Sequence, residues 1–169
     1  LYLYMYGVCL SVRLILETVI ILLESVNKDL IYLEYNIQMD KILITGSEGY
    51  IGKFLFYFLK KKFDVIGIDK KKSLEKKIFQ CNITNQNKLD LIISKEQPKI
   101  IIHLAAQSLV DDTINKKKYY ANNVLATNTL LKVMKNHNIK KIIFSSTAPV
   151  YNQSSILLTD KSKLKPLSS

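Results

Sequence analysis

Lys41-Ile-Leu-Ile-Thr45-Gly46-Ser-Glu-Gly49-Tyr50-Ile51-Gly52 is the stretch on which the reading of this chain turns. Three β-branched or leucine residues in a row read as a buried strand, and the glycines that follow read as a tight turn opening a helix. A turn of this kind lets backbone N–H groups approach a pyrophosphate at the positive end of the helix. Gly46 permits the turn, Gly49 the close approach, and Gly52 the packing of helix on strand.

Downstream, the same alternation repeats. A helix is expected from Tyr50 to about Lys61, with Ile51, Leu55, Phe58 and Leu59 on one face. A second strand is expected over Asp64 to Ile68, ending in Asp69, and a third over Lys77 to Cys81. Asn82-Ile83-Thr84 then leads into a helix reaching about Glu96, with Thr84 as the N-cap and Pro98 past its end. Lys99 to Leu104 is an apolar run bounded by that proline and by small residues, hence a fourth strand. A long helix is expected from about Tyr119 to His137, with Tyr120, Val124, Thr127, Leu131 and Met134 as its stripe, and Lys140 to Phe144 closes the series as a fifth strand. Strands alternating with helices through short connections predict an α/β fold, a doubly wound parallel sheet of Rossmann type with helices on both faces.

Upstream of Met39 the composition changes. Residues 1–38 are apolar, and Arg13 and Lys28 are outweighed there by Glu17, Glu24, Asp29 and Glu34, whereas the rest of the chain carries the lysine excess. The charges interrupt the segment before a membrane-length run develops, and no signal-peptide order is present. Residues 1–38 are therefore expected to be an N-terminal extension, not native to the domain that starts at Met39. The alternative is an amphipathic helix carrying Leu14, Ile15, Val19, Leu22, Leu23 and Val26 on one face, able to dock on a partner or a membrane surface.

The net charge of +11 raises the question of nucleic acid. The lysines fall in short runs, Lys60 to Lys62, Lys70 to Lys72 and Lys116 to Lys118, without interleaved aromatics, and Arg13 is the sole arginine. Solvated surface fits better, so neither a nucleic-acid nor a membrane partner is expected. Cys9 and Cys81 lie far apart and His103 and His137 are isolated, which leaves no zinc or disulfide pattern and fits a reducing, cytoplasmic setting.

Asp69 stands at the end of the second strand, where a carboxylate accepts hydrogen bonds from both ribose hydroxyls of a dinucleotide and repels a 2′-phosphate. NAD is thus expected over NADP, although Lys70 to Lys72 blunt the preference.

Four motifs in order, Thr45 to Gly52, His103-Leu104-Ala105-Ala106-Gln-Ser108, Tyr119-Tyr-Ala-Asn122-Asn123-Val and Phe144-Ser145-Ser146-Thr147-Ala-Pro-Val-Tyr151, resemble the extended short-chain dehydrogenases/reductases that act on nucleotide sugars. The resemblance covers Met39 to Ser169 and is nearest to the branch that interconverts UDP-glucose and UDP-galactose at C4. It implies bound NAD that takes hydride from the sugar and returns it to the opposite face. It also implies that Leu104, Ala105 and Ala106 run close to the cofactor, that Asn82 and Ile83 meet the adenine, that Asn123 and Ser145 help hold the cofactor, and that Thr147 is catalytic, bonding the reacting sugar oxygen. The related 4,6-dehydratases share Ala105 to Ser108 and Val110-Asp111, but their Asp-Glu pair is replaced here by Ala148-Pro149.

In that family the base is the tyrosine of a Tyr-x-x-x-Lys motif. Tyr119, Tyr120 and Tyr151 have no lysine four residues on, and Pro166-Leu-Ser-Ser169 resembles the lead-in to the motif. The expectation is therefore the partial NAD-binding domain of an epimerase, residues 39–169, truncated before its base and its substrate domain and inactive as given. A fragment of a 4,6-dehydratase, or a non-catalytic dinucleotide-binding module dimerising through the helix at Tyr119 to His137, is the alternative.

Overall fold

The computed structural model describes residues 40–107 and 116–145. The expectations for residues 1–38, for Thr147 and for the segment after it lie outside the described residues.

Five strands form one parallel sheet: β1 (Ile42–Thr45), β2 (Val65–Asp69), β3 (Ile78–Gln80), β4 (Ile100–His103) and β5 (Lys141–Phe144). Their order is β3-β2-β1-β4-β5, so the winding reverses between β1 and β4. All five expected strands are present, each within a residue or so of its anticipated ends.

Alternation along the strands sorts the core into two layers. Ile42, Ile44, Ile100 and Ile102 point to one face and are covered by Leu55, Phe56 and Leu59 of α1 (Tyr50–Leu59). Leu43, Ile66, Ile68 and Ile101 point to the other, where Leu89 and Ile93 of α2 (Gln86–Glu96) and Leu130, Val133 and Met134 of the last helix cover them. That helix, α3, runs over 116–136, with π-type hydrogen bonding from Tyr120 to Leu125. Both faces of the sheet being covered explains why β1, β2 and β4 carry no polar residue before their last one, instead of alternating.

Two local expectations need correcting. The N-cap of α2 is Asn85, whose side chain accepts the Lys88 N–H at 3.1 Å. Thr84 instead sits in an Asx turn, its N–H donating to Asn82 Oδ1 at 3.2 Å, because the asparagine before it competes for the chain reversal. The inward row of α3 also departs from the expected stripe over most of its length: of that stripe Met134 is buried and Thr127 half-buried, but Tyr120, Val124 and Leu131 are exposed, and Ala126, Leu130 and Val133 are buried in their place. The inner row contains Asn123 and the small Ala126, so hydropathy alone favoured the adjacent, more apolar row.

Candidate dinucleotide site

The reversal between β1 and β4 leaves a crevice at the carboxyl ends of the strands, the place where open α/β sheets take ligands. A cavity of about 280 Å³ lies there. Gly46, Gly49, Asp69, Asn82, Ile83, Leu104, Ala105 and Ala106 all line it.

The turn after β1 is built on backbone constraints. Gly46 has φ +72°, and a Cβ there would lie 2.9 Å from both the N and the Cα of Ala105. A side chain is thus disfavoured twice, by conformation and by the β4 loop that crosses over it. Gly52 is buried, and a Cβ on it would collide with the Gly46 carbonyl. Gly49 caps α1 without any side-chain hydrogen bond, and the first turn of α1 holds no acidic residue. The leading N–H groups of a helix have no intrahelical acceptor, so this end offers Tyr50, Ile51 and Gly52 backbone donors and the positive end of a helix dipole. Tyr50 is exposed and Ile51 half-buried, and neither lines the cavity.

Asp69 is buried and borders the cavity at the end of β2. Its Oδ2 accepts the Glu48 N–H at 2.9 Å and its Oδ1 accepts the Lys71 N–H at 2.8 Å. The carboxylate thereby braces the glycine turn against the β2 end, and each oxygen keeps a further lone pair for a ligand hydroxyl. Lys70 and Lys71 also line the cavity, as do Cys81 and Asn122, none of which the sequence reading placed in the site. The adjacent Asn122-Asn123 pair carried the signal for a helix residue here, but not which of the two would face in. Burial pushes the Cys81 thiol above its usual pKa, so it lines the wall as an inert, apolar group.

Asn123 is engaged elsewhere. Its Oδ1 accepts the Gln107 N–H at 2.7 Å and its Nδ2 donates to the Gln107 carbonyl at 3.3 Å, a two-point grip on the loop after β4. Ser145 follows β5, exposed, with its N–H donating to the His103 carbonyl at 3.1 Å. Beneath the loop lies His103, 2% exposed, with Nδ1 at 2.6 Å from Thr45 Oγ1 and Nε2 at 3.1 Å from Thr127 Oγ1. Burial lowers its pKa to about 4, so the imidazole is neutral at physiological pH.

One Tyr-x-x-x-Lys spacing does occur in the chain, at Tyr57 and Lys61, and the sequence reading passed over it. Tyr57 is exposed on α1, Lys61 is exposed just past its end, and neither lines the cavity. Among the described residues no cluster of metal-ligating side chains occurs, and no helix is long and apolar enough to cross a membrane.

Known proteins are similar to this chain in sequence and in fold. Residues 42–169 match the model of the NAD dependent epimerase/dehydratase family. A dTDP-D-glucose 4,6-dehydratase of Dictyostelium discoideum is 37% identical over 142 residues, 74% of this chain and 31% of that protein. A UDP-glucose 4-epimerase of Halalkalibacterium halodurans is 38% identical over 123 residues, 66% of this chain and 36% of its own length. The crystal structure of the UDP-glucose 4-epimerase of Bifidobacterium longum, in complex with NAD+ and UDP, superposes with a TM-score of 0.67 at 30% identity, covering 74% of this chain and 42% of that one. The chain spans about a third of the length of these curated relatives. Since the family model takes in the glycine turn, Asp69, the β4 loop and everything after them, the chain belongs to the NAD dependent epimerase/dehydratase family.

Proposed function

We propose that this chain is the NAD-binding portion of a nucleotide-sugar epimerase acting at C4 of a UDP-sugar, and that by itself it does not turn substrate over. One observation carries the reading: Gly49, the cap of α1 that no side chain bonds, and the Asp69 carboxylate border one cavity at the β1/β4 reversal. A dinucleotide needs that pairing, donors for its pyrophosphate and an acceptor for its ribose.

The residues present fit the cofactor. The Gly46 to Gly52 backbone would take the pyrophosphate, Asp69 the ribose hydroxyls, and Asn82 with Ile83 the adenine. Leu104, Ala105 and Ala106 would form the wall beside the nicotinamide end, where small side chains leave room, and Asn123 would hold that wall from α3. When bound, NAD supplies reversible acceptance of a hydride. Ser145 would help hold the cofactor, and Thr147 would bond the reacting sugar oxygen. A general base is required to take the C4 hydroxyl proton, and Tyr57 with Lys61 does not reach the cavity. That the Tyr-x-x-x-Lys spacing at Tyr57 and Lys61 falls away from the cavity supports inactivity of the chain by itself.

The 4,6-dehydratase reading is favoured by one observation, the 37% identity to the Dictyostelium enzyme. Ala148-Pro149, where the dehydratases carry Asp-Glu, weighs against it. A non-catalytic binding module is the third reading, and the exposed row Tyr120, Val124, Leu125 and Leu131 supports pairing of two copies along α3.

Calorimetric titration with NAD and with NADP tests the proposal. Saturable NAD binding, tighter than NADP binding, is the expected result, with no epimerisation of UDP-galactose. Absence of NAD binding, or robust epimerisation, would overturn it.

A further inference from the structure

The polar groups around His103 can be joined in only one proton order. Thr127 Oγ1 lies 2.6 Å from the Asn123 carbonyl, which can only accept, so the hydroxyl proton of Thr127 is spent there. His103 Nε2, at 3.1 Å from the same Oγ1, must then be the donor. A neutral ring protonated at Nε2 has a lone pair at Nδ1, and the Thr45 hydroxyl at 2.6 Å donates to it. Thr45 Oγ1 is left free to accept, and the Ala105 N–H donates to it at 3.3 Å.

The chain of bonds therefore runs in one direction: Ala105 N–H to Thr45, Thr45 to His103, His103 to Thr127, and Thr127 to the Asn123 carbonyl. It returns to its starting loop, because the Asn123 carboxamide grips both the N–H and the carbonyl of Gln107. Both ends of the network thus fall on the segment Ala105 to Gln107, which crosses the glycine turn closely enough to forbid a side chain on Gly46. Thr45 immediately precedes that glycine. The imidazole is the only member that spans from β1 to α3.

We propose that His103, in its Nε2–H tautomer, is a positioning residue that sets the height of the Ala105–Gln107 backbone over the Gly46 turn, and so the shape of the cofactor cavity between them. It touches neither cofactor nor substrate and acts through Thr45, Thr127 and Asn123. The consequence for NAD affinity rests on the proposed NAD binding; the consequence for the loop does not.

Three measurements on the full chain test the proposal. The first is the nitrogen-15 spectrum of the histidine rings near neutral pH, with His137→Asn assigning the two signals. An unprotonated Nδ1 and a protonated Nε2 are expected at His103, and the reverse tautomer would overturn the proposal even if no variant folded. The second is amide hydrogen exchange in Thr127→Val, which leaves the His103 Nε2–H without an acceptor. Exchange at Ala105 and Gln107 should accelerate about fivefold to tenfold, the worth of one hydrogen bond, while Leu43 and Ile101 in the sheet keep their protection and Thr127→Ser restores the loop. Unchanged exchange at Ala105 and Gln107 in a folded Thr127→Val protein would overturn it. The third is NAD titration, where Thr127→Val should weaken binding by a similar factor and Thr127→Ser should recover it; unchanged affinity would overturn the cavity-shaping role. A wild-type chain that binds no NAD would instead defeat the proposed function, with ring tautomer and loop exchange still deciding the role of His103.

Discussion

Acid should destabilise this protein well before its carboxylates titrate, and His103 should be the cause. The ring is 2% exposed, and its pKa falls from 6.5 to about 4 through burial. The unfolded chain takes up the proton at its ordinary pKa while the folded chain resists, so stability is fully present above pH 6.5 and is lost as pH falls from 6.5 toward 4. Below about 4 both states are protonated and the loss levels off. At ~1.36 kcal/mol per pH unit this shift amounts to about 3 kcal/mol, a large share of the ~5–15 kcal/mol that holds a typical domain folded. Urea unfolding at closely spaced pH values should follow that curve in the wild type. His103→Gln keeps a donor and an acceptor but cannot charge, so its stability should stay flat over the same interval. Asp64 and Glu75, whose pKa values their lysine partners Lys77 and Lys60 hold below normal, contribute equally to both proteins and at lower pH. Parallel loss of stability in wild type and His103→Gln between pH 6.5 and 4 would refute the reasoning.

Gly46→Ala should cost at least ~1 kcal/mol for the left-handed backbone alone, and more because the new methyl meets Ala105; the same variant should abolish NAD binding in calorimetry. Leu130→Ala removes a fully buried side chain from the layer under α3, and chemical denaturation should show a loss of about 2–5 kcal/mol. Gln97, at φ 50° just after α2, should gain up to ~1 kcal/mol on replacement by glycine, read as a raised unfolding midpoint. Leu131→Lys, on the exposed row of α3, should leave the unfolding midpoint near that of the wild type yet abolish any self-association seen by sedimentation.

The sequence by itself determined the strands, their parallel arrangement and the location of the crevice. Uninterrupted apolar runs at Ile42–Ile44 and Ile100–Ile102 are possible only in strands covered on both faces, and glycines placed directly after the first of them mark the turn by backbone sterics alone. These are local properties, written in neighbouring residues. Asp69 was legible for the same reason, as a carboxylate at a strand end.

Tertiary structure alone decided which of two neighbouring residues faces inward. Asn122 lines the cavity while Asn123 grips Gln107, and the inner row of α3 is the one bearing Asn123 and Ala126 instead of Tyr120 and Val124. A helix with two plausible faces is oriented by what it meets, and polar residues can point inward when partners from β1 and β4 await them. His103 is the clearest case. In the sequence it is a lone histidine ending an apolar run, and only the approach of Thr45 from β1 and Thr127 from α3 turns it into the joint of a directed hydrogen-bond network. Those partners lie 58 and 24 residues away, beyond the reach of any local pattern.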